Sequence, residues 1–299
     1  MKYESCIIGL KNVTKDFSIA NRKKNTNLKE NHEDLAVSDV NLNIYKGEIF
    51  VLIGSSGSGK STLLRMINNL VIPTEGEVLI EGRNTQKMSH NEMLTIRQKK
   101  ISMVFQSISL LPHRTVISNI EFGLEVQGVK KSLRIKKAKE SLRLVGLNGY
   151  EYHYPHQLSG GMQQRVGLAR AIANDTDIIL MDEAFSALDP IIKRDLQNQL
   201  LDLQSKLSKT IVFITHDIDE ALKIGDRIGV MSQGKVIQVG KPEEILLEPI
   251  NEYVKKLTND INLQKLISAS FFHSLTSEAK EKLIKKYNTQ IEKLLETVK

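Results

Sequence analysis

The sequence feature that most constrains this chain is a glycine-rich segment of eight residues between an apolar run and a helical segment. It consists of Gly54, Ser55, Ser56, Gly57, Ser58, Gly59, Lys60 and Ser61. The apolar run (residues 49–53) is typical of a buried strand, so the segment stands in the context that its pattern requires. Glycine lets successive backbone N–H groups turn into one concavity, and the start of a helix adds partial positive charge. The segment therefore predicts a loop that binds the phosphates of a nucleoside triphosphate.

Two side chains of this loop carry the expected chemistry. Lys60 can reach the β- and γ-phosphates, and the Ser61 hydroxyl can ligate Mg²⁺. Thr62, the next residue, belongs to the same predicted binding set. The alternative interpretation is a glycine-rich turn that binds nothing. Because the strand, the lysine, the hydroxyl and the helix are all in place, the sequence favours a nucleotide with Mg²⁺.

Composition excludes some classes of protein and leaves others open. The chain has 299 residues, 40% of them hydrophobic, so it can form one large or two smaller domains with a buried core. A single cysteine, Cys6, excludes an internal disulfide and fits a reducing compartment. The sequence contains no run of about 18 apolar residues, so no membrane span is predicted. Residues 1–5 lack a secretory pattern. The net charge of +7 suits nucleic acid, an anionic membrane face or a polyphosphate, and by itself decides nothing.

Strands and helices alternate along most of the chain. Apolar strands are predicted at residues 49–53, 177–181 and 210–215, each followed by polar residues, and a hairpin is predicted at residues 227–239. This alternation indicates an α/β domain whose site lies at the carboxyl ends of the strands. Residues 118–146 instead have helical apolar spacing, which indicates an inserted helical subdomain. Its predicted core positions are Ile120, Leu124, Val126, Ala138, Leu142 and Val145.

These patterns divide the chain into two predicted parts. Residues 1–240 form a nucleotide-binding part, with the helical subdomain inserted at about residues 107–166, and the polar residues 18–34 read as a solvated loop or insertion. Residues 241–299 form a helical extension, which we expect to pack as a helix or helix pair, with a membrane-binding helix as the alternative. Seven apolar residues share one face of it: Leu283, Ile284, Tyr287, Ile291, Leu294, Leu295 and Val298.

A second motif completes the signal for nucleotide hydrolysis. The apolar residues 178–181 deliver Asp182 beside the phosphate loop, where its carboxylate can hold Mg²⁺ through water. Glu183 follows and is placed to orient or deprotonate the attacking water. A general base of this kind contributes about 10²–10⁴ in rate, roughly 3–5 kcal/mol of the barrier. Acidic residues end many strands, so this pair is strong evidence only together with the phosphate loop.

Residues 158–165, Leu-Ser-Gly-Gly-Met-Gln-Gln-Arg, resemble the signature sequence of the ATP-binding subunits of ABC transporters. The resemblance implies an ABC-type P-loop NTPase core, α/β with an inserted helical subdomain, a small antiparallel β part and a C-terminal helical extension. It also implies a head-to-tail homodimer that encloses two ATP molecules with Mg²⁺. Each γ-phosphate then meets the signature residues of the other copy, here Ser159, Gly160, Gly161 and Gln163. An ordinary Ser-Gly-Gly helix cap is the alternative interpretation.

The same resemblance assigns further positions. Gln106 matches the glutamine that contacts Mg²⁺ and the water, and His216 matches the histidine that contacts the γ-phosphate. Residues 186–189 match the D-loop at the dimer centre. Phe17 matches the aromatic residue that stacks on adenine, where stacking is worth about 1–3 kcal/mol. The predicted catalytic set is Lys60, Gln106, Glu183 and His216. The predicted metal ligands are Ser61, Gln106 and Asp182.

Longer phrases are similar to the glycine betaine/proline (quaternary amine) uptake ATPases. They span residues 99–106, 111–116, 154–158, 181–190 and 213–222. This resemblance implies an import motor at the cytoplasmic face of the cell membrane, bound peripherally to membrane-embedded permease subunits. An extracytoplasmic substrate-binding protein is implied as an indirect partner, and nucleic acid is not. The chain departs from that subfamily in the insertion between Phe17 and Val37, which is shorter. We also expect no paired CBS modules.

The main alternative is a non-transport ABC ATPase that acts on ribosomes, DNA or repair complexes. Translation-type members usually have two ATPase halves in one chain, and repair-type members have long coiled coils. This sequence has one phosphate loop, one signature and no sustained heptads. An adjacent permease gene, or membrane association that resists nuclease, would favour transport. We expect the solute pocket to lie on other chains.

Overall fold

The computed structural model, which describes residues 5–18, 35–106, 109–186, 188–259, 261 and 275–287, arranges its strands in two sheets. The strands are β1 (Cys6–Asp16), β2 (Leu35–Tyr45), β3 (Ile49–Ile53), β4 (Glu75–Ile80), β5 (Arg83–Asn84), β6 (Ile101–Val104), β7 (Ile178–Asp182), β8 (Thr210–Thr215), β9 (Arg227–Ser232) and β10 (Lys235–Gly240). The smaller sheet is antiparallel, in the order β2-β1-β4-β5. The larger sheet has the order β10-β9-β3-β8-β7-β6. The small antiparallel part and the α/β core are both as predicted.

The larger sheet brings the carboxyl ends of its parallel strands to one edge. β3, β8, β7 and β6 pair in parallel, with Ile53 opposite Thr215 and Asp182 opposite Ile214. Every residue of β3, β7 and β8 is buried, as expected of strands that are covered on both faces. The phosphate loop and the residues after Asp182 and Thr215 therefore leave the sheet side by side. The predicted hairpin is also present, as the antiparallel pair of β9 and β10.

Alternate residues of β3 belong to two different cores, one on each face of the sheet. Ile49, Val51 and Ile53 pack in the core shared with the helices between residues 116 and 173 and with the C-terminal segment. Phe50 and Leu52 pack in the core that lies between the two sheets. Since successive side chains of a strand point to opposite faces, this division follows from the period of two. The phosphate loop is thus anchored on a strand that is fixed from both sides.

Residues 116–144 form two helices where a helical subdomain is predicted, and one predicted core position there is wrong. The helices of the described chain are α1 (Lys60–Ile67), α2 (His90–Lys99), α3 (Val116–Val126), α4 (Lys131–Leu144), α5 (Gly160–Ala173), α6 (Pro190–Leu207), α7 (Ile218–Ile224), α8 (Pro242–Leu247), α9 (Glu252–Asn259) and α10 (Ser277–Lys286). α3, α4 and α5 pack against one another. Five of the six predicted core positions are buried, but Val126 is 54% exposed. It lies two residues after the buried Leu124, which places it on the far side of a helix with 3.6 residues per turn.

The C-terminal segment packs on the core. α8 contacts β9 and β10, and α10 contacts α8. Leu283 and Tyr287 are buried as predicted, whereas Ile284 is 42% exposed. The other four residues of the predicted apolar face, and the polar residues 19–34, lie outside the described residues. No helix within the described ranges is long and apolar enough to cross a membrane. The division of the chain at residue 240 stays a prediction.

Candidate active site

Lys60 opens helix α1, and its ammonium group lies inside the phosphate loop. Its Nζ donates hydrogen bonds to the carbonyl oxygens of Gly54 at 2.9 Å and Ser55 at 2.8 Å, and lies 3.4 Å from Ser58 Oγ. Burial lowers the pKa of Lys60, and two nearby carboxylates oppose that shift. The loop thus holds a buried cation on its own carbonyl oxygens, from which phosphate oxygens can draw it away.

The backbone of the loop explains why it contains glycine. Gly59 caps α1 with a φ of 101°, and a Cβ there would lie 2.2 Å from the carbonyl oxygen of Ala36. A Cβ at Gly54 would lie 2.1 Å from the carbonyl oxygen of Met231. Gly57 has a φ of 77° but open space around it. Two of these glycines are therefore required by close backbone approach, and the third by its left-handed conformation.

Ser61 and Asp182 meet beside the loop, as predicted for a Mg²⁺ site. The Ser61 hydroxyl donates to Asp182 Oδ1 at 2.7 Å, and Asp182 is 1% exposed. Arg65 Nη2 lies 3.9 Å from the other carboxylate oxygen. A hydroxyl and a carboxylate at this spacing fit Mg²⁺, which takes oxygen ligands and is usually completed by water and substrate phosphates. The described residues contain no group of three or more acidic, histidine or cysteine side chains that would hold a metal without a nucleotide.

Glu183 follows β7 and lies between two of its predicted partners. Gln106 Nε2 donates to Glu183 Oε2 at 3.1 Å, and His216 Nδ1 lies 3.6 Å from the same oxygen. The φ of Glu183 is 45°, which is uncommon for a residue other than glycine and is often found at functional sites. The side chain of His216 is 57% exposed, and that of Glu183 is 18% exposed. The structure therefore brings the predicted base, glutamine and histidine together at the mouth of the site.

A buried polar network fixes the loop that carries His216. The residues on either side of it are Thr215, whose hydroxyl donates to Glu220, and Asp217, which is paired with Lys193 at 2.8 Å. Burial raises the pKa of Glu220, and the hydrogen bond from Thr215 opposes that shift. Lys193 belongs to α6, which begins directly after the D-loop residues. The sequence did not indicate this network, although it determines where His216 stands.

The signature residues lie at the start of α5. Ser159 Oγ accepts a hydrogen bond from the Met162 backbone N–H at 3.3 Å, as an N-cap does. Gly160 has open space around it, whereas a Cβ at Gly161 would lie 3.1 Å from a side chain of α6. Gln163 Nε2 donates to a backbone carbonyl oxygen five residues earlier. Within the described residues, no hydrogen bond or ion pair joins this segment to the phosphate loop, so its place in a shared site stays a prediction.

Phe17 follows directly after β1, and the residue is 43% exposed. Within the described chain, Lys15 Nζ lies over the Phe17 ring, 5.0 Å from its centroid. The exposed face is available to a planar ligand, and the stacking of adenine on Phe17 stays a prediction. The place of the D-loop residues at a dimer centre stays a prediction. Asp189 caps α6 by accepting from two backbone N–H groups of that helix.

A match to a family model shows to which protein family this chain belongs. The family model described as ABC transporter matches residues 37–186, which is half of the 299 residues. This chain belongs to the ABC transporter family. The matched range contains the phosphate loop, the signature segment and the Asp182–Glu183 pair, so the predicted family is confirmed.

Individual ABC transporter proteins confirm the predicted subfamily resemblance. The glycine betaine transport ATP-binding protein OpuAA of Bacillus subtilis is 57% identical over 252 residues, covering 84% of this chain and 60% of OpuAA. The glycine betaine/carnitine transport ATP-binding protein GbuA of Listeria monocytogenes is 55% identical over 249 residues, covering 83% of this chain and 63% of GbuA. The chain thus spans about 60% of the length of these relatives.

A solved ABC cassette confirms the predicted fold class. The dimeric structure of MJ0796, a bacterial ABC transporter cassette, is similar with a TM-score of 0.70 and 39% identity. The similarity covers 79% of this chain and 98% of that chain. The P-loop NTPase core of this chain is therefore that of an ABC cassette.

Proposed function

We propose that this chain binds and hydrolyses ATP as the motor subunit of an importer for glycine betaine or a related quaternary amine. One observation carries the proposal: Lys60, the Ser61–Asp182 pair and Glu183 with its two partners lie at one edge of the sheet. They provide a cation for the phosphates, oxygen ligands for a metal and a carboxylate for water. The similarity to OpuAA and GbuA, named for transport of glycine betaine, supports the proposed solute.

The chain's own residues account for the chemical step. Lys60 exchanges its bonds to loop carbonyl oxygens for bonds to the β- and γ-phosphates, and the loop N–H groups hold the β-phosphate. Ser61 and Asp182 would hold Mg²⁺, which when bound would supply positive charge against the phosphates. Glu183 orients the attacking water and accepts its proton. Gln106 keeps the Glu183 carboxylate in place through its N–H at 3.1 Å. His216, whose Nδ1 lies 3.6 Å from the same oxygen, would contact the γ-phosphate.

The second half of each site would come from another copy of the chain. Ser159 and Gly160 lie exposed at the start of α5, where backbone N–H groups and the helix dipole favour an anion. Nothing in the described chain links them to their own phosphate loop. A head-to-tail homodimer would supply each loop with the signature residues of the partner, and the dimeric MJ0796 structure supports such an assembly.

The remaining partners follow from the transport proposal. The motor would bind peripherally to membrane-embedded permease subunits at the cytoplasmic face, with residues 107–166 as the helical subdomain inserted into a nucleotide-binding domain of residues 1–240. A substrate-binding protein on the other side of the membrane would be an indirect partner. Nucleic acid has no part in this function, and the relatives compared above carry transport names, which gives the non-transport alternative no support.

The experiment is uptake by the complete transporter, reconstituted in vesicles with ATP inside. We expect glycine betaine uptake to require ATP and to be lost with Lys60→Ala, while Glu140→Gln, on the exposed side of α4, transports normally. Parallel assays with carnitine, choline and proline define the solute. If the complex takes up none of these solutes in an ATP-dependent manner, the transport proposal is contradicted. Unchanged ATP turnover in the Lys60→Ala chain would contradict the proposed site.

A further inference from the structure

The phosphate loop has a second tether, which comes from the C-terminal helices. The Tyr253 hydroxyl, on α9, accepts a hydrogen bond from the Ser55 backbone N–H at 3.1 Å. The carbonyl oxygen of Ser55 accepts a hydrogen bond from Lys60 Nζ at 2.8 Å. Both backbone polar groups of Ser55 are therefore bonded within the chain, although Ser55 lies exposed at the mouth of the loop.

Tyr253 is itself held in a defined position. Its ring is partly buried against the core that contains α8. The segment before it is fixed to β10 by Gln238, whose side chain donates to the Glu248 carbonyl oxygen at 2.9 Å and accepts from the Ile250 N–H at 3.0 Å. The Asn251 side chain then accepts a hydrogen bond from the backbone of α9 at 3.0 Å. The hydroxyl thus reaches the loop from a rigid support.

We infer that Tyr253 is a positioning residue for the phosphate loop, through which the C-terminal helices set the affinity for the nucleotide. This inference rests on the proposed ATP-binding function. A bound triphosphate draws Lys60 away from the Ser55 carbonyl oxygen, so the bond to Tyr253 becomes the remaining side-chain tether of Ser55. A loop that is ordered before the ligand arrives binds it without the cost of ordering. Tyr253 touches no reacting atom, so it acts on binding and not on the chemical step.

The test is the full chain with Tyr253→Phe, which keeps the ring and removes only the hydroxyl. ATP affinity in the presence of Mg²⁺ is measured by calorimetry, and turnover is measured as a function of ATP concentration. The loss of one hydrogen bond predicts binding weaker by about two- to tenfold. The KM for ATP rises by a similar factor, whereas kcat at saturating ATP stays within about twofold, because that factor acts on ground state and transition state alike.

Tyr287→Phe is the matched control. It removes another tyrosine hydroxyl from the same helices, one that donates to the Thr258 carbonyl oxygen at 3.2 Å and does not contact the loop. We expect this control to bind ATP like the wild-type chain. ATP binding by Tyr253→Phe that is unchanged or tighter would overturn the inference, and so would a fall in kcat with KM unchanged. Failure of the wild-type chain to bind ATP would instead overturn the proposed function, so the two failures are distinguishable.

A second measurement needs no variant and covers the case in which Tyr253→Phe does not fold. Amide hydrogen exchange is measured on the nucleotide-free wild-type chain, and the exchange rates of the Ser55 and Ser56 backbone N–H groups are compared. The Ser55 N–H donates to Tyr253, whereas the described residues show no acceptor for the Ser56 N–H. We expect slower exchange at Ser55 than at Ser56. Equal or faster exchange at Ser55 would show that the tether does not hold in solution.

Discussion

Replacing Glu183 by glutamine tests the role of the carboxylate with the smallest change of shape. Glu183 is the acceptor of the hydrogen bond from Gln106 Nε2 at 3.1 Å, and the side chain is only 18% exposed. Glutamine retains an oxygen that can accept this bond, so the neighbouring groups keep their places. An amide, however, cannot take a proton from water at neutral pH. The substitution therefore removes the proposed base and leaves the architecture intact.

The expected magnitude follows from this difference. Loss of a general base costs about 10²–10⁴ in rate, which corresponds to roughly 3–5 kcal/mol in the barrier. ATP binding depends on the phosphate loop and not on Glu183, so we expect the affinity to stay within about threefold, less than one ordinary hydrogen bond. The assay is phosphate release in a single turnover, together with equilibrium ATP binding. Slow hydrolysis with intact binding should leave the chain loaded with ATP.

The control for this prediction is Glu140→Gln, the same chemical change on the exposed side of α4. It should leave turnover unchanged. A Glu183→Gln chain that hydrolyses ATP within about threefold of the wild-type rate would remove Glu183 from the role of base. Equal losses of binding and turnover would show instead that the substitution had damaged the loop.

Three further predictions concern the loop, the metal site and a buried ion pair. Gly59→Ala should lower the free energy of unfolding by more than about 3 kcal/mol, because a 2.2 Å clash adds to the strain at φ 101°. Gly57→Ala, which meets no clash, should lower it by about 1–2 kcal/mol. Both values are measured by chemical denaturation. Ser61→Ala should weaken the dependence of ATP affinity on Mg²⁺, measured by titration, because Asp182 remains. It should also cost about 1–3 kcal/mol of stability through the lost 2.7 Å bond. Arg227→Met removes a cation 3.2 Å from the buried Glu48, whose pKa burial already raises. A raised carboxyl pKa stabilises the folded state only at low pH. The free energy of unfolding lost through Arg227→Met should therefore grow as pH rises from 5 to 8, to about 3 kcal/mol. An equal loss at pH 5 and pH 8 would contradict this prediction.

Most of the fold could be predicted because its determinants are local. The run from residue 49 to residue 53 has no polar side chain, which fits a strand covered on both faces, and the glycines that follow have the conformations that their positions demand. Val126 shows the limit of this reasoning. Apolar character placed it in the core, but its angle around α3 turns it to solvent. A period must be followed residue by residue to exclude such a position.

The site could be predicted where its residues end strands of one parallel sheet. Asp182 and His216 are far apart in sequence. They lie at the carboxyl ends of β7 and β8, which are neighbouring parallel strands, so the ends of these strands are close in space. The contact of Tyr253 with Ser55 joins residues 198 positions apart and depends on the path of an irregular connection after β10. No periodicity or motif encodes such a path. The network around Glu220 escaped prediction for a related reason: a single buried carboxylate in a helix has no distinctive spacing.

The central claim is that one copy of the chain supplies the phosphate loop and another supplies Ser159 to the same nucleotide. The direct test mixes Lys60→Ala chains with Ser159→Arg chains and measures ATP turnover. Each variant alone has no complete site, whereas the mixed head-to-tail dimer has one, formed by the intact Lys60 of one copy and the intact Ser159 of the other. We predict turnover in the mixture well above that of either variant alone. Turnover no higher than the average of the two separate variants would contradict the shared site.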